Sequence, residues 1–356
     1  MTQDNAALRP DITSPASQPY PRNQWYVAAF SDEVGRTLLS RRLLDEYVVL
    51  YRTEDGKPVA LRDQCPHRGL PLSMGKLTGD RIQCGYHGME YGAGGKCERI
   101  PSQDLIPSRL CVRSYPLIEC WQWIWIWVGD PAKADPALLP DQVALGTERP
   151  GFIATQFFHM EMKANYQLMH DNLLDTSHLS YLHADLLDSG EEVAGSAFWT
   201  DEKGPVLRLG REMPGSVATG GVARYFRIKE NHPYHKQLIV ETHLPSVNIG
   251  KQTIHDPENP DDPEKCLYVI NALTPINDRE THVFHVQCTS YEPNWTPAEA
   301  DAIRYIVNQD KIALEEIQRR FDEHSLKPIE ISVKADTQGI VSRRKIIEMV
   351  KQERAA

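Results

Sequence analysis

CPHRGLPLSMGKLTGDRIQCGYHG, residues 65–88, sets one Cys and one His on each of two short loops: Cys65 with His67, and Cys84 with His87. Gly69, Gly75, Gly85 and Gly88 give those loops the backbone freedom to wrap a buried inorganic centre. Two thiolates on one iron and two imidazoles on the other are the ligands of a mixed two-iron, two-sulfur cluster. The neutral imidazoles raise its potential above that of an all-cysteine cluster. A structural zinc ion also takes two Cys and two His. Zinc sites, however, draw like residues from each knuckle, and the mixed pairing here favours iron and sulfide. Cys97, Cys111, Cys120, Cys266 and Cys288 lack such spacing and read as core or surface thiols. An odd total of seven cysteines makes no disulfide framework and points to a reducing compartment.

Working outward, residues 25–128 read as short strands with frequent turns. EYVVLYRTEDGKPVALRD (46–63) holds two strand-like runs around Asp55-Gly56, a hairpin signal, and YGAGGKCERI (91–100) is a second hairpin. WQWIWIWVGD (121–130) is a buried strand whose four tryptophans, at every second position, share one face; packing explains them better than an electron path. DPAKADPALLPDQVALGTERPG (130–151) lacks periodicity and marks a domain boundary. A helical stretch follows over 163–183, then mixed strands and loops over 206–290, with 210–221 and 255–265 read as mobile loops. TPAEADAIRYIVNQDKIALEEIQRRFDEH (296–324) is the clearest helix, with Thr296 as N-cap, Pro297 at the first position and Glu299 closing a capping box. The expected class is α+β: a disordered tail over 1–20, an all-β metal domain over 21–135 and a second domain of sheet and helices over 136–356.

Hydrophobic residues at 41% and charged residues at 25% suit a globular protein with a buried core. A net charge of −10 argues against a nucleic-acid coat, which needs clustered Lys and Arg. The first residues show no export signal, and no apolar run reaches the ~20 residues of a membrane span. The expectation is a cytoplasmic protein without a membrane anchor.

NYQLMHDNLLDTSHLSYLHADLLD (165–188) carries a second constellation. Asp175 and His178 would be neighbours on one helix face. His178 and His183, five residues apart, point ~140° away from each other on a regular helix, so they share an ion only if the helix ends or distorts between them. Two histidines and one carboxylate leave open positions on iron(II), where dioxygen can bind beside a substrate. Asp310, in the middle of the last clear helix, is the candidate carboxylate, with a solvated helix face as the alternative.

The chain resembles the terminal oxygenase components of Rieske non-haem iron systems, in particular the vanillate O-demethylase and dicamba monooxygenase type. The resemblance runs through NQWYVAAF (23–30), CPHRGLPLSMG (65–75), CGYHGMEY (84–91), IWIWVGDP (124–131), NLLDTSHLSYLHA (172–184) and VSRRKIIEMV (341–350). It implies a Rieske cluster on Cys65, His67, Cys84 and His87, and mononuclear non-haem iron on His178, His183 and Asp310. It further implies that Asp175 bridges to His87 of the partner subunit in a homotrimer, that Asn172 sits beside this bridge, and that the second domain is a helix-grip fold. Electrons would come from NAD(P)H through a separate ferredoxin or flavin reductase. Dioxygen would then oxidise a small aromatic acid, most simply by O-demethylation, in aromatic compound catabolism. Aryl-methyl hydroxylation, ring dioxygenation, and a Rieske electron-transfer protein without oxygenase activity stay open as alternatives. Relatives carry an aromatic-Trp pair where this chain has Phe284-His285. His285 is therefore a candidate substrate contact, with an ordinary strand histidine as the alternative; His243 and Arg224 are weaker candidates.

Overall fold

The computed structural model describes residues 19–184, 191–218, 220–292, 297–323 and 330–355. Two compact units form: residues 22–141 together with 272–277, and residues 142–271 with 278–356 and the stretch up to 21.

The N-terminal unit is all-β. Strands β1 (Trp25–Phe30), β2 (Leu39–Leu43), β3 (Glu46–Arg52) and β4 (Pro58–Arg62) are followed by β5 (Lys76–Thr78), β6 (Arg81–Gln83), β7 (Glu90–Tyr91) and β8 (Cys97–Arg99). Strands β9 (Leu117–Cys120) and β10 (Trp123–Trp127) complete it. They make three antiparallel sheets in the orders β1-β10-β9, β2-β3-β4 and β5-β6-β7-β8. Gly56, at φ +86, turns β3 into β4 as the Asp-Gly pair predicts. Strand β10 is the central strand of its sheet, its two edges paired by β1 and β9, and it is buried on both faces, so Trp123, Trp125 and Trp127 are core residues. Trp121 lies outside the strand at φ +57 and leaves the expected four-member ladder with three. At the β2–β3 turn, the Leu44 and Asp45 amides donate to the carbonyls of Pro275 and Ile276, which belong to the same unit.

The C-terminal unit is an antiparallel sheet with helices on one face. Its elements in chain order are α1 (Gln142–Leu145), β11 (Ile153–Met162), α2 (Tyr166–Leu174), α3 (Glu192–Gly195), β12 (Phe198–Lys203), β13 (Val206–Val217) and α4 (Gly220–Phe226). Then come β14 (Pro233–His243), β15 (Val247–His255), β16 (Lys265–Asn277), β17 (Glu280–Thr289), α5 (Pro297–Asp322) and α6 (Thr337–Ala355). The sheet order is β11-β17-β16-β15-β14-β13-β12. Buried positions of α5 recur as Ile303, Val307, Asp310, Leu314 and Gln318, one stripe of a 3.6-residue period. Phe158 of β11 packs on Ile303 and Val307, and His170 of α2 bonds Asn248 of β15, so these residues mark the helix-covered face.

Two expectations are corrected. Residues 210–217 form the second half of β13 rather than a loop; the glycine and proline that suggested mobility sit at a register shift at Pro214/Ser216, with Gly215 at φ +76. Proline is tolerated at such bulges. The helix expected over 163–183 is a nine-residue α2 followed by a 3-10 turn, Thr176–Ser180. Asp310, the candidate carboxylate, belongs to the buried stripe, against the alternative of a solvated face. Thr296 and residues 1–18 lie outside the described residues; Tyr20 packs edge-on to Tyr166.

Helix α6 is tied to α2 by Arg343, whose guanidinium bonds Asp171 and Glu330 while only 6% exposed. Removing one partner of a buried pair costs about 3–5 kcal/mol, so Arg343→Ala should lower the urea midpoint accordingly. Burial outweighs Arg343 at Asp171 and raises its carboxyl from 3.8 to about 6. A carboxyl raised on folding favours the fold most below its unfolded value, and that contribution is lost as pH rises through about 6. The deficit in Arg343→Ala should therefore narrow in unfolding experiments below pH 6.

Candidate metal centres

The two cysteine loops are built alike. Cys65 donates its amide to Leu70 and accepts from Gly69; Cys84 donates to Met89 and accepts from Gly88. Both glycines have positive φ, +80 and +70, which bends each loop back over its cysteine. The thiols of Cys65 and Cys84 are buried, whereas His67 and His87 are exposed, with their Nδ1 atoms 3.2 Å apart. Burial, with the Cys65 thiol beside it, pushes the Cys84 thiol up. The Tyr91 hydroxyl lies 3.3 Å from Cys65 Sγ, where it can donate to sulfur. The four candidate ligands thus sort by kind: thiols inward and imidazoles outward. A single tetrahedral ion mixes its ligands around one point, whereas a two-iron cluster with one iron per kind needs this sorting. Among the described residues, these side chains do not join the sets of three ligand atoms lying within 4.8 Å of one another.

One such set is His178, His183 and Asp310. Asp310 Oδ1 lies 3.2 Å from His183 Nε2 and 3.8 Å from His178 Nε2. An ion ~2.1 Å from each donor asks for separations near ~3–3.4 Å, so the set needs only a small contraction. The chain break that the sequence demanded is made by Asp175. Its backbone ends α2, and its side chain caps the next turn by accepting from the Ser177 amide at 2.8 Å. His178 Nδ1 donates to the Asp175 carbonyl, at 2.5 Å, and His183 Nδ1 donates to Gln309 Oε1, at 2.9 Å. With both Nδ1 atoms acting as donors, the two Nε2 lone pairs are left facing Asp310, the protonation a metal requires. Burial lowers the His178 pKa and favours the neutral ring. Asn172 donates to Asp310 Oδ1 at 3.0 Å, so it orients the carboxylate. Gln309 was not foreseen; only its adjacency to Asp310 hints at it. Gln309→Leu should weaken iron binding roughly 10–100-fold, the usual cost of losing an outer partner, measured by chelator competition.

The other set is His159, Glu161 and His282, on the sheet face turned away from the helices. His159 Nε2 and His282 Nδ1 are 3.0 Å apart, a hydrogen-bonded pair stacked beside Phe284, with Glu161 exposed. His285 is 1% exposed on the helix-covered face; its Nδ1 donates to Asn271 Oδ1 at 2.9 Å and its Nε2 has no partner. His243 lies near Glu241, 3.4 Å away, and Arg224 sits on the short helix α4. Neither joins the metal set.

The folded chain therefore pairs a sorted Cys2His2 unit with a two-histidine, one-carboxylate unit, the division of labour of Rieske non-haem iron oxygenase terminal components. Residues 24–116 match the Rieske [2Fe-2S] domain, and residues 162–352 match the vanillate O-demethylase oxygenase C-terminal domain. The chain belongs to the vanillate O-demethylase oxygenase family. It is similar to the dicamba O-demethylase oxygenase component of Stenotrophomonas maltophilia, 30% identical over 84% of this chain and 88% of that one. A toluene-4-sulfonate monooxygenase system iron-sulfur subunit of Comamonas testosteroni is 42% identical over 46% of each chain, so that match spans about half of either protein. The crystal structure of dicamba monooxygenase bound to 3,6-dichlorosalicylic acid superposes with a TM-score of 0.85 at 28% identity, covering 94% of this chain and 99% of that one.

Proposed function

We propose that this chain is the terminal oxygenase component of a multicomponent Rieske monooxygenase that O-demethylates a small aromatic acid. Cys65, His67, Cys84 and His87 would hold the cluster, and His178, His183 and Asp310 the mononuclear iron. The observation that carries the reading is the pair of Nε2 atoms aimed at one buried Asp310 oxygen, each ring fixed from behind by an acceptor on Nδ1. When bound, the two iron groups supply stored electrons and the reductive activation of dioxygen.

The chain's own residues orient and exclude. Asn172 and Gln309 fix the carboxylate and one imidazole, and Asp310 sits on the buried stripe of α5. His285 stays neutral because burial lowers its pKa to about 3. With Nδ1 donating to Asn271, its free Nε2 is an acceptor. That supports contact with a substrate hydroxyl rather than with an anion. Asp175, which caps the turn that carries His178, would link that histidine to His87 of the partner subunit in a cyclic homotrimer. A ferredoxin or flavin reductase would deliver electrons from NAD(P)H, in a cytoplasm that keeps the seven cysteines free.

The deciding experiment supplies the protein, a reductase, NADH and oxygen with a panel of methoxylated and methylated aromatic acids. Formaldehyde released in step with a new phenol supports demethylation. Hydroxymethyl or diol products would move the activity to the alternatives, and oxygen-independent silence on every compound would remove the oxygenase reading.

A further inference from the structure

The sheet that faces α2 and α5 on one side carries a second set of metal donors on the other. Residues 158–161 of β11 alternate: Phe158 and Met160 pack against Ile303 and Val307 of α5, so His159 and Glu161 point to the opposite face. On β17, His282 stands directly opposite Glu161, and Phe284 directly opposite His159. Paired residues of antiparallel strands share a face, so these four side chains form one patch.

The donor atoms converge. His159 Nε2 lies 3.0 Å from His282 Nδ1, and Glu161 Oε1 lies 3.8 Å from the same nitrogen. All three atoms fall within 4.8 Å of one another. An ion ~2.1 Å from each donor asks for separations of ~3–3.4 Å. The set of His178, His183 and Asp310 comes no closer, at 3.2 and 3.8 Å. Both rings are held in advance, which lowers the cost of ordering them around an ion. His282 is 2% exposed, and His159 stacks on buried Phe284 with ring centres 4.7 Å apart. The Glu161 side chain is 67% exposed and can close the remaining gap by rotation.

A hydrogen bond between the rings accounts for only two of the three atoms. If His282 Nδ1 donates, its hydrogen is spent on His159, and the carboxylate at 3.8 Å is beyond hydrogen-bond reach. If it accepts, Glu161 faces a lone pair. The carboxylate gains nothing either way, whereas a divalent ion joins all three.

We propose that His159 Nε2, His282 Nδ1 and the Glu161 carboxylate form a second cation site, for a divalent ion of the zinc class. Two imidazoles and one carboxylate suit zinc, nickel and copper(II), each ring then carrying its hydrogen on the nitrogen turned away from the ion. Exposure of Glu161 brings the remaining coordination position to solvent, where water completes the tetrahedron. The ion would pin β11 to β17. On the helix-covered face the same two strands carry Phe158 and His285, stacked with ring centres 4.8 Å apart, so occupancy tightens the pairing behind them.

The test dialyses the holoenzyme, with cluster and iron in place, against zinc chloride up to about 100 μM, a range that reaches a modest three-ligand site. Zinc, iron and sulfide are then counted per chain. One zinc per chain beyond the iron is expected, with iron content and visible spectrum unchanged and a raised melting temperature. Glu161→Gln keeps the side-chain shape at an exposed position and should melt as wild type does without zinc. It should weaken zinc at least about tenfold, because losing a ligand costs no less than losing an outer partner. His159→Gln should weaken zinc as much; where that variant fails to fold, Glu161→Gln decides alone. No zinc taken up, zinc taken up only as iron leaves, or zinc held equally by wild type and Glu161→Gln overturns the site.

Discussion

Asp310→Ala is expected to abolish turnover while the visible spectrum of the cluster stays as in wild type. Asp310 is the sole carboxylate facing both Nε2 atoms in the set formed by the described residues, and it lies on the buried stripe of α5. Without it, two neutral imidazoles would have to hold a divalent ion alone. The loss in iron affinity should exceed the ~100-fold that marks removal of an outer partner. The substitution also frees Asn172 Nδ2, which now donates to the carboxylate. Iron assays on the desalted variant, run beside acid-labile sulfide, separate the two centres: sulfide should stay at two per chain's worth of cluster while the remaining iron drops out. Retained turnover would mean that a different carboxylate serves the metal.

Asp175→Asn should keep both metals and slow turnover about 100-fold, the upper range for a residue acting behind a ligand. Asparagine is chosen because its side-chain carbonyl can still cap the turn over the Ser177 amide, and the backbone carbonyl that accepts from His178 is untouched. What changes is the negative charge, felt also by buried Arg211. If that charge organises electron delivery, the cluster should still reduce at the wild-type rate while its reoxidation in the presence of substrate and oxygen becomes slow. Equal reoxidation rates would reduce Asp175 to a helix cap.

The two cysteine loops were legible because each sets its Cys and His within a few residues of each other, and local spacing survives folding. The break between His178 and His183 was legible too, since a regular helix cannot turn both rings to one ion. Its cause, the doubled capping role of Asp175, was not, because Asp reads equally as a solvated helix residue. Asp310 could be named but not placed: in an amphipathic helix one polar residue on the apolar stripe looks like noise until the opposite sheet is known. Gln309 and Asn271 depend on strand register and on which helix lies above, relations that join residues far apart in the chain. The glycine and proline of 210–217 misled because they mark a bulge as readily as a loop.

The short stretch 272–277 gives the N-terminal unit a debt to chain made much later. During synthesis, the Leu44 and Asp45 amides must wait for more than two hundred further residues before Pro275 and Ile276 arrive to accept them. A hybrid that swaps the first 141 residues for those of a relative would leave that turn facing a foreign strand end. Exchanging 272–277 along with it should restore yield, which makes this six-residue tether the natural second crossover for shuffling cluster domains within the family.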